Sequence, residues 1–190
     1  GVFMVVAAAT TTGFQNVTNN QLTTVFSSGA FLIIAMCMAI GGSSGSTAGG
    51  IKLSRIGLIA KSMVSTIKET LSPSTARVSV RYYHLGRKVL TTDAAKSAMT
   101  VSALFVVTYL IGSLAGIAHG YDAISSIFES VAMASNGGLS SGIVSRGMPP
   151  TLEAVYILEM WAGRLEFVTL LALVVKVVVS IAPRRKAVRS

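Results

Sequence analysis

Long apolar stretches alternate with short polar ones along the chain. Three windows, 22–40, 97–118 and 152–181, are long and apolar enough for helices that cross a membrane. A hydrocarbon layer of about 30 Å takes roughly 20 helical residues. A fourth stretch, 121–135, has a helical pattern but is too short to cross, and Asp122 is its predicted N-cap. The pattern predicts an all-α integral membrane fold in contact with the lipid bilayer.

Composition supports a membrane protein and argues against other classes. Of the 190 residues, 52% are hydrophobic and only 12% are charged, which exceeds what a soluble domain needs for its core. The lone Cys37 can form neither an intramolecular disulfide nor a cysteine metal cluster. Because no nucleophile, base and orienting group can be assembled, we do not expect an enzyme.

The basic residues lie in two clusters. Residues 1–50 contain no Asp, Glu, Lys or Arg, whereas 51–100 carry nine Lys or Arg against Glu69 and Asp93. A second basic cluster, "PRRKAVRS", closes the sequence. Basic residues near helix ends stay on the cytoplasmic side, so both 51–96 and the C-terminus should be cytoplasmic. The net charge of +9 thus reflects topology, and no nucleic-acid partner is predicted, because aromatic residues do not interleave with the basic ones.

In this topology, the segment 119–150 begins and ends on the outer side of the membrane. The short helix at 121–135 must then enter the membrane and return by an irregular loop. Such a re-entrant element is tolerated at membrane depth only where it lines a cavity.

An internal repeat supports this arrangement. Shifting the chain by 125 residues places 2–15 over 127–140, with five identities in fourteen positions, and Gly13 falls on Gly138. The repeated unit is span, pore helix, polar loop, span, and about one and a half units are present, so we expect a piece of a longer protein. The predicted domains are the end of one repeat (1–68), a basic cytoplasmic connection (69–96), a full repeat (97–181) and a basic cytoplasmic tail (182–190).

The loops 10–14 and 135–139 are candidates for cation binding. Each follows a predicted pore helix whose C-terminal end carries partial negative charge. Backbone carbonyls can replace the water around a cation if some residues take φ > 0, which Gly13 and Gly138 adopt at little cost. Either loop alone could be an ordinary glycine turn, whereas two equivalent loops favour an ion site. The predicted carbonyl ligands are Thr11, Thr12, Gly13, Asn136, Gly137 and Gly138.

Several motifs resemble those of one family. "GGSSGSTAGGIKLSRI" (41–56) resembles the signature of the Trk/Ktr/HKT superfamily of potassium transporters, and "TTTGF", "FESVAMASNGGLSSG" and "WAGRLEFVTLL" are similar to its third filter, fourth pore region and last inner helix. Asn136-Gly137 departs from the family pattern, in which Thr or Ser and then a larger residue are expected.

The resemblance implies four span–pore–span repeats around one pore like that of a potassium channel. It implies a homodimer in the plasma membrane, a prokaryotic source, and a cytoplasmic nucleotide-binding regulatory ring of the TrkA/KtrA type. This sequence resembles the second half, so the N-terminal half of the same transporter is an implied partner. Potassium is the implied ion, with no organic cofactor in this chain.

A glycine-rich segment directly after the first apolar window is a candidate gate. Each of its glycines destabilises a helix by roughly 1 kcal/mol relative to Ala, and its hydroxyl residues can satisfy a broken backbone. In the family the corresponding segment is an intramembrane loop beneath the filter. The predicted gate residues are Gly41, Gly42, Ser43, Ser44, Gly45, Ser46, Thr47, Ala48, Gly49 and Gly50, together with Arg164.

Arg164 lies inside the window 152–181, where a charge costs about 2.5 to 3.5 kcal/mol on insertion scales. Such residues face a water-filled interior. The 125-residue interval puts Arg164 at the level of Ala39, just before the glycine-rich segment, and the family carries an Arg in this motif below its filter. The alternative is a structural ion pair with Glu166 or Glu159.

The predicted function is potassium uptake, passive or coupled to a second ion by symport, through a carbonyl-lined filter. Two alternatives remain: a sodium-conducting relative, and a non-transporting membrane subunit whose Gly and Ser residues pack helices.

Overall fold

The computed structural model describes residues 2–18, 26–43, 45–46, 48–72, 81–83, 87–89, 92–164, 173 and 175–177. The helices with described bounds are α1 (Val2–Ala9), α2 (Ser28–Ala39), α3 (Leu53–Leu71), α4 (Thr92–Ala118), α5 (Ala123–Ala134) and α6 (Pro150–Arg164). The short strands β1 (Ile40–Gly41) and β2 (Ile51–Lys52) pair in parallel, and β3 (Arg81–Tyr83) and β4 (Arg87–Val89) pair antiparallel. The mostly helical fold agrees with the predicted class. The strands were not predicted, because pairs of two or three residues carry no alternating pattern that a sequence could reveal.

Within the described ranges, α4 is the one helix long and apolar enough to cross a membrane, with 27 residues. It contains the predicted window 97–118. In the window 22–40, helix α2 begins only at Ser28, because the Ser27 hydroxyl accepts the N–H of Ala30 at 3.4 Å and caps the helix there. In the window 152–181, α6 is described to Arg164, and 165–172 lie outside the described residues.

Two features of the described surface and interior are unusual for a soluble protein: a long exposed apolar face and a group of buried polar side chains. Helix α4 exposes a series of large apolar side chains, and buried polar side chains cluster around α5. The exposed set on α4 includes Val106, Val107, Leu110, Ile111 and Leu114. The buried polar set includes Ser126, Glu129, Ser130, Ser135, Ser141 and Glu159. An apolar face of α4 is therefore exposed, while several polar side chains near α5 are buried within an otherwise apolar interior.

Helix α5 lies at the centre of the packing. Its Phe128 stacks on Phe31 of α2 with ring centroids 4.2 Å apart, and Met4 and Ala8 of α1 belong to the same buried cluster. On the side facing α4, a Cβ at Gly116 would lie 2.7 Å from the Ser126 hydroxyl, so glycine permits this close approach. The first half of α5 is thereby held between several helices.

The helical path from α2 to α3 is interrupted at the predicted place. Residues Ile40 and Ile51 are partners in the parallel β1–β2 pair, and the N–H of Leu53 donates to the carbonyl of Gly42 at 3.2 Å. Because paired parallel strands point the same way, the chain leaves the intervening loop in the direction in which it entered. The described residues of 42–50 thus belong to a loop whose two ends are joined by the β1–β2 pair, between α2 and α3. The predicted domain boundaries at 68, 96 and 181 remain predictions.

Candidate functional site

The C-terminal ends of α1 and α5 have the same hydrogen-bond geometry. The N–H of Thr12 donates to the carbonyl of Ala7 at 3.1 Å, and that of Gly137 donates to Ala132 at 2.8 Å. One residue earlier, Thr11 donates to Ala8 at 3.1 Å and Asn136 donates to Met133 at 3.0 Å. Each end is a Schellman motif, which turns the chain sharply away from the helix. Corresponding residues are 125 positions apart throughout.

Backbone dihedral angles repeat at the same interval. Thr11 and Asn136 have φ of 50° and 52°, and Gly13 and Gly138 have φ of 79° and 73°. The glycines adopt the predicted left-handed conformation. The other two were not predicted: Asn is common at such helix ends, but a β-branched Thr with positive φ is rare, and no sequence signal points to Thr11.

The two loops meet at equivalent residues. A Cβ on Gly138 would lie 2.8 Å from the Cα of Gly13, and a Cβ on Gly13 would lie 3.2 Å from the carbonyl oxygen of Gly137. Further along, the N–H of Ser140 donates to the side-chain oxygen of Gln15 at 3.3 Å. Gln15 and Ser140 are again 125 positions apart. The predicted filter residues of the two loops are therefore brought together, with backbone against backbone.

Several contacts that were not predicted from the sequence surround the second loop. The Asn136 amide donates to the carbonyl of Met160 in α6 at 3.3 Å. A Cβ on Gly137 would lie 2.9 Å from the sulfur of Met38, so α2 packs directly behind this loop. Glu129 is fully buried and binds the residues that follow the loop. A lone carboxylate in an apolar helix was the available signal for Glu129.

The glycine-rich segment lies against the C-terminal end of α5. A Cβ on Gly49 would overlap the carbonyl of Ser135, one residue before Asn136. Gly45 and Gly50 have positive φ, at 88° and 77°, and the Ser46 hydroxyl accepts the N–H of Ala48 at 3.1 Å. Ser44 and Thr47, which were also predicted to belong to the gate, lie outside the described residues.

Arg164 and the glycine-rich segment border one cavity of about 150 Å³. Its wall combines the segment, the start of α3, one side chain of α4 and the end of α6. The lining residues are Ser46, Ala48, Gly49, Gly50, Lys52, Arg55, Phe105, Gly163 and Arg164. A Cβ on Gly163 would overlap the carbonyl of Ala134, so this cavity lies directly beside the end of α5.

Three cationic side chains therefore share this cavity wall. Lys52 and Arg55 join Arg164, although only Arg164 was predicted. The alternative partner Glu159 is buried on another side, where its carboxylate oxygen lies 3.1 Å from the Ser130 hydroxyl. Glu166 lies outside the described residues.

The site offers oxygen ligands from the backbone. Among the described residues there is no group of three or more His, Cys, Asp or Glu side chains that could hold a metal ion. The loop carbonyls follow two helix C-termini, where the macrodipole favours a cation.

Residues 1–182 match the family model TrkH, described as a cation transport protein. An uncharacterized cation transporter of Methanocaldococcus jannaschii is 36% identical over 172 residues, covering 90% of this chain and 35% of the relative. The Trk system potassium uptake protein TrkH of Escherichia coli K12 is 32% identical over 176 residues, covering 90% of this chain and 34% of the relative.

The fold is similar to a solved structure, that of the potassium transporter TrkH from Vibrio parahaemolyticus. The TM-score is 0.71 at 23% sequence identity, and the match covers 90% of this chain and 36% of the solved chain. The chain thus spans about a third of the length of the relatives it matches.

Proposed function

Because the chain belongs to the TrkH family of cation transport proteins, we propose that it forms part of a plasma-membrane protein that takes up potassium ions. Membership of a transporter family also confirms the prediction that the chain is not an enzyme. The observation that carries the proposal is the repeated loop: the same hydrogen-bond pattern at two helix ends and φ angles within a few degrees of each other, at an interval of 125 residues, with the loops meeting at Gly13 and Gly138. The relatives named for potassium uptake support potassium as the ion.

The proposed location is a lipid bilayer, crossed several times. The length of α4 and its exposed apolar side chains support a lipid-facing outer helix. The basic residues from Lys52 to Lys96 support a cytoplasmic position for that connection, and the basic cluster at 183–190 supports the same side for the C-terminus. We extend the proposal to a prokaryotic membrane, in keeping with the sources of the relatives.

Selectivity resides in the carbonyls of the two loops in this proposal. The ligands are Thr11, Thr12 and Gly13 in one loop and Asn136, Gly137 and Gly138 in the other. Two loops enclose an ion on one side only, and the N-terminal half of the transporter supplies the remainder of the ring. The repeated unit of span, pore helix, loop and span is the architecture that this requires.

The glycine-rich segment and Arg164 form the gate in the same proposal. Both border the cavity beside the end of α5, and Gly49 touches Ser135 next to the second loop. A positive charge 5 Å from an entering cation raises its energy by about 3 kcal/mol at an effective dielectric near 20. Lys52 and Arg55 add charge of the same sign at this cavity.

Partners of the whole transporter follow from the resemblance. We propose a homodimer and a cytoplasmic nucleotide-binding ring of the TrkA type that contacts the basic cytoplasmic side.

The test uses full-length transporter in liposomes, with rubidium-86 uptake competed by sodium. Gly13→Ser and Gly138→Ser would each strain a residue with positive φ and crowd the opposing loop, so preference for potassium over sodium should fall about tenfold, or ~1.4 kcal/mol. Gly147→Ser is the matched control, since Gly147 has open space around it and no positive φ.

The outcomes separate the three functions. Uptake with sodium preferred over potassium in the unaltered protein would establish the sodium-conducting alternative. Absence of uptake from correctly folded protein would favour the packing subunit. Wild-type selectivity in both serine variants would show that these loops are not the filter.

A further inference from the structure

Glu129 of α5 holds the chain that leaves the second loop. Its side chain is fully buried, and both of its oxygens are engaged. The Ser140 hydroxyl donates to Oε1 at 2.8 Å, the N–H of Ser141 donates to Oε2 at 2.7 Å, and the Ser141 hydroxyl donates to Oε2 at 2.5 Å. The loop 135–139 is therefore fastened at both ends to α5: by the Schellman bonds before it and by this carboxylate after it.

Ser140 also joins the two loops. Its hydroxyl donates to Glu129, and its N–H donates to the side chain of Gln15 at 3.3 Å. Any shift of Ser140 would thus move the contact between the loops. Position 4, which is 125 residues before Glu129, is Met4, a buried residue without a polar group to offer. The first loop therefore has no equivalent carboxylate. It is linked to the second loop by the hydrogen bond between Gln15 and the N–H of Ser140.

The neighbouring residue fixes α5 itself. The Ser130 hydroxyl lies 3.0 Å from the carbonyl of Tyr109 in α4 and 3.1 Å from Glu159 in α6. Adjacent positions of one helix thus face in two directions: Ser130 towards the outer helices and Glu129 towards the loop. This arrangement gives the loop a fixed frame.

Burying a carboxylate is unfavourable unless its oxygens receive hydrogen bonds. A hydrophobic residue would fill the same volume in α5 at lower cost, as Met4 does in α1. The three donors aimed at Glu129 are therefore best explained by a role in holding the loop.

We propose that Glu129 is a positioning residue for selectivity, which sets the distance between the carbonyls of both loops without touching the ion. This inference rests on the proposed function, since it takes the loops to be the filter. Without the carboxylate the loops could close around a smaller ion, so sodium would gain relative to potassium.

The test compares Glu129→Gln, Glu129→Asp and the control Ser126→Ala in full-length transporter. Glutamine keeps the shape but turns an amide N–H₂ towards a donor, so the potassium-to-sodium uptake ratio should fall about tenfold, equivalent to ~1.4 kcal/mol. Aspartate keeps the charge one methylene short and should lie between wild type and Glu129→Gln. The Ser126 hydroxyl donates to the backbone carbonyl of Asp122, the N-cap residue of α5, so its removal should leave the ratio unchanged.

If Glu129→Gln does not fold, a second set of variants tests the role of Glu129 in selectivity. Ser140→Ala and Gln15→Ala each remove one member of the chain Glu129–Ser140–Gln15, and both should lower the ratio. Their double mutant should lose less than the sum of the single effects in log ratio, because both act on one contact.

The results distinguish this inference from the proposed function. Altered selectivity in Gly13→Ser and Gly138→Ser, with a normal ratio in the Glu129, Ser140 and Gln15 variants, would overturn the role of Glu129 alone. A lower melting temperature with a normal ratio would reduce Glu129 to a stabilising residue. Normal ratios in all of these variants, glycines included, would overturn the filter itself.

Discussion

Asp122 determines where the helix beneath the second loop begins. Its carboxylate accepts the N–H groups of Ile124 at 3.1 Å and Ser125 at 3.2 Å, two of the donors that the first turn of a helix leaves without partners. The predicted cap is confirmed. Since α5 carries both Glu129 and the loop, the position of its first turn contributes to the geometry of the site.

Replacing Asp122 with Ala should destabilise the protein by about 1 kcal/mol, because both N–H groups lose their acceptor. Asp122→Asn keeps an oxygen at the same place and should retain most of the stability. The measurement is thermal unfolding of full-length protein in detergent. Equal melting temperatures for wild type and Asp122→Ala would show that this cap does not limit stability.

How far single residues can be predicted depends on whether their role is local. Asp122, Gly13 and Gly138 act through their own backbone or the next turn, so the sequence alone identified them. Glu129 and Lys52 acquire their roles from segments brought next to them by folding. Glu129 was not predicted from the sequence, because an isolated carboxylate in an apolar helix does not indicate its partners.

At the scale of elements, the interrupted helix brings distant segments to one cavity. The β1–β2 pair closes the base of the loop, Gly49 touches the end of α5, and Arg164 arrives from the end of α6. The break in the helix was predictable from glycine content, since five glycines in ten residues oppose a helix. The parallel pairing was not, because it depends on how the two helices are aligned.

Removing the charge of Arg164 should raise basal flux. Arg164→Ala lowers the electrostatic barrier at the cavity, and deleting part of 43–49 removes the obstruction, so each should increase rubidium uptake without the regulatory ring. The double change should gain less than the sum of the two in log flux, because both act on one constriction. Arg164→Lys should retain more restriction than Arg164→Ala, since it keeps the charge.

The matched control is Lys68→Ala, which removes the same charge from the last turn of α3, away from the cavity. Uptake is measured in liposomes at equal protein content. Unchanged or lower flux in correctly folded Arg164→Ala, with selectivity intact, would return Arg164 to a structural ion pair.

At the scale of the whole molecule, the described chain presents two loops that touch each other, where a closed ring of carbonyls is proposed. The 125-residue interval was visible in the sequence and recurs in the φ angles and in the contacts Gly13–Gly138 and Gln15–Ser140. What the sequence could not provide was the closeness of those contacts, which the absence of side chains on both glycines permits.

The isolated 190 residues should not conduct. Two loops cannot surround an ion with about eight carbonyls, and the region matched by this chain covers only 35% and 34% of the relatives. The measurement is rubidium uptake into liposomes containing this chain alone, compared with the full-length protein at equal molar amount. Uptake by the isolated chain at the full-length rate would overturn the idea that further loops complete the pore.

The two loops, 125 residues apart, belong to one polypeptide. A mutation can therefore alter one loop without altering the other. In an assembly of identical subunits, each mutation appears in every subunit at once, so the ion path can only change symmetrically. Here a substitution enters a single loop, as the contrast between Glu129 and Met4 illustrates. If the loops form the proposed filter, its ion preference can therefore change one loop at a time.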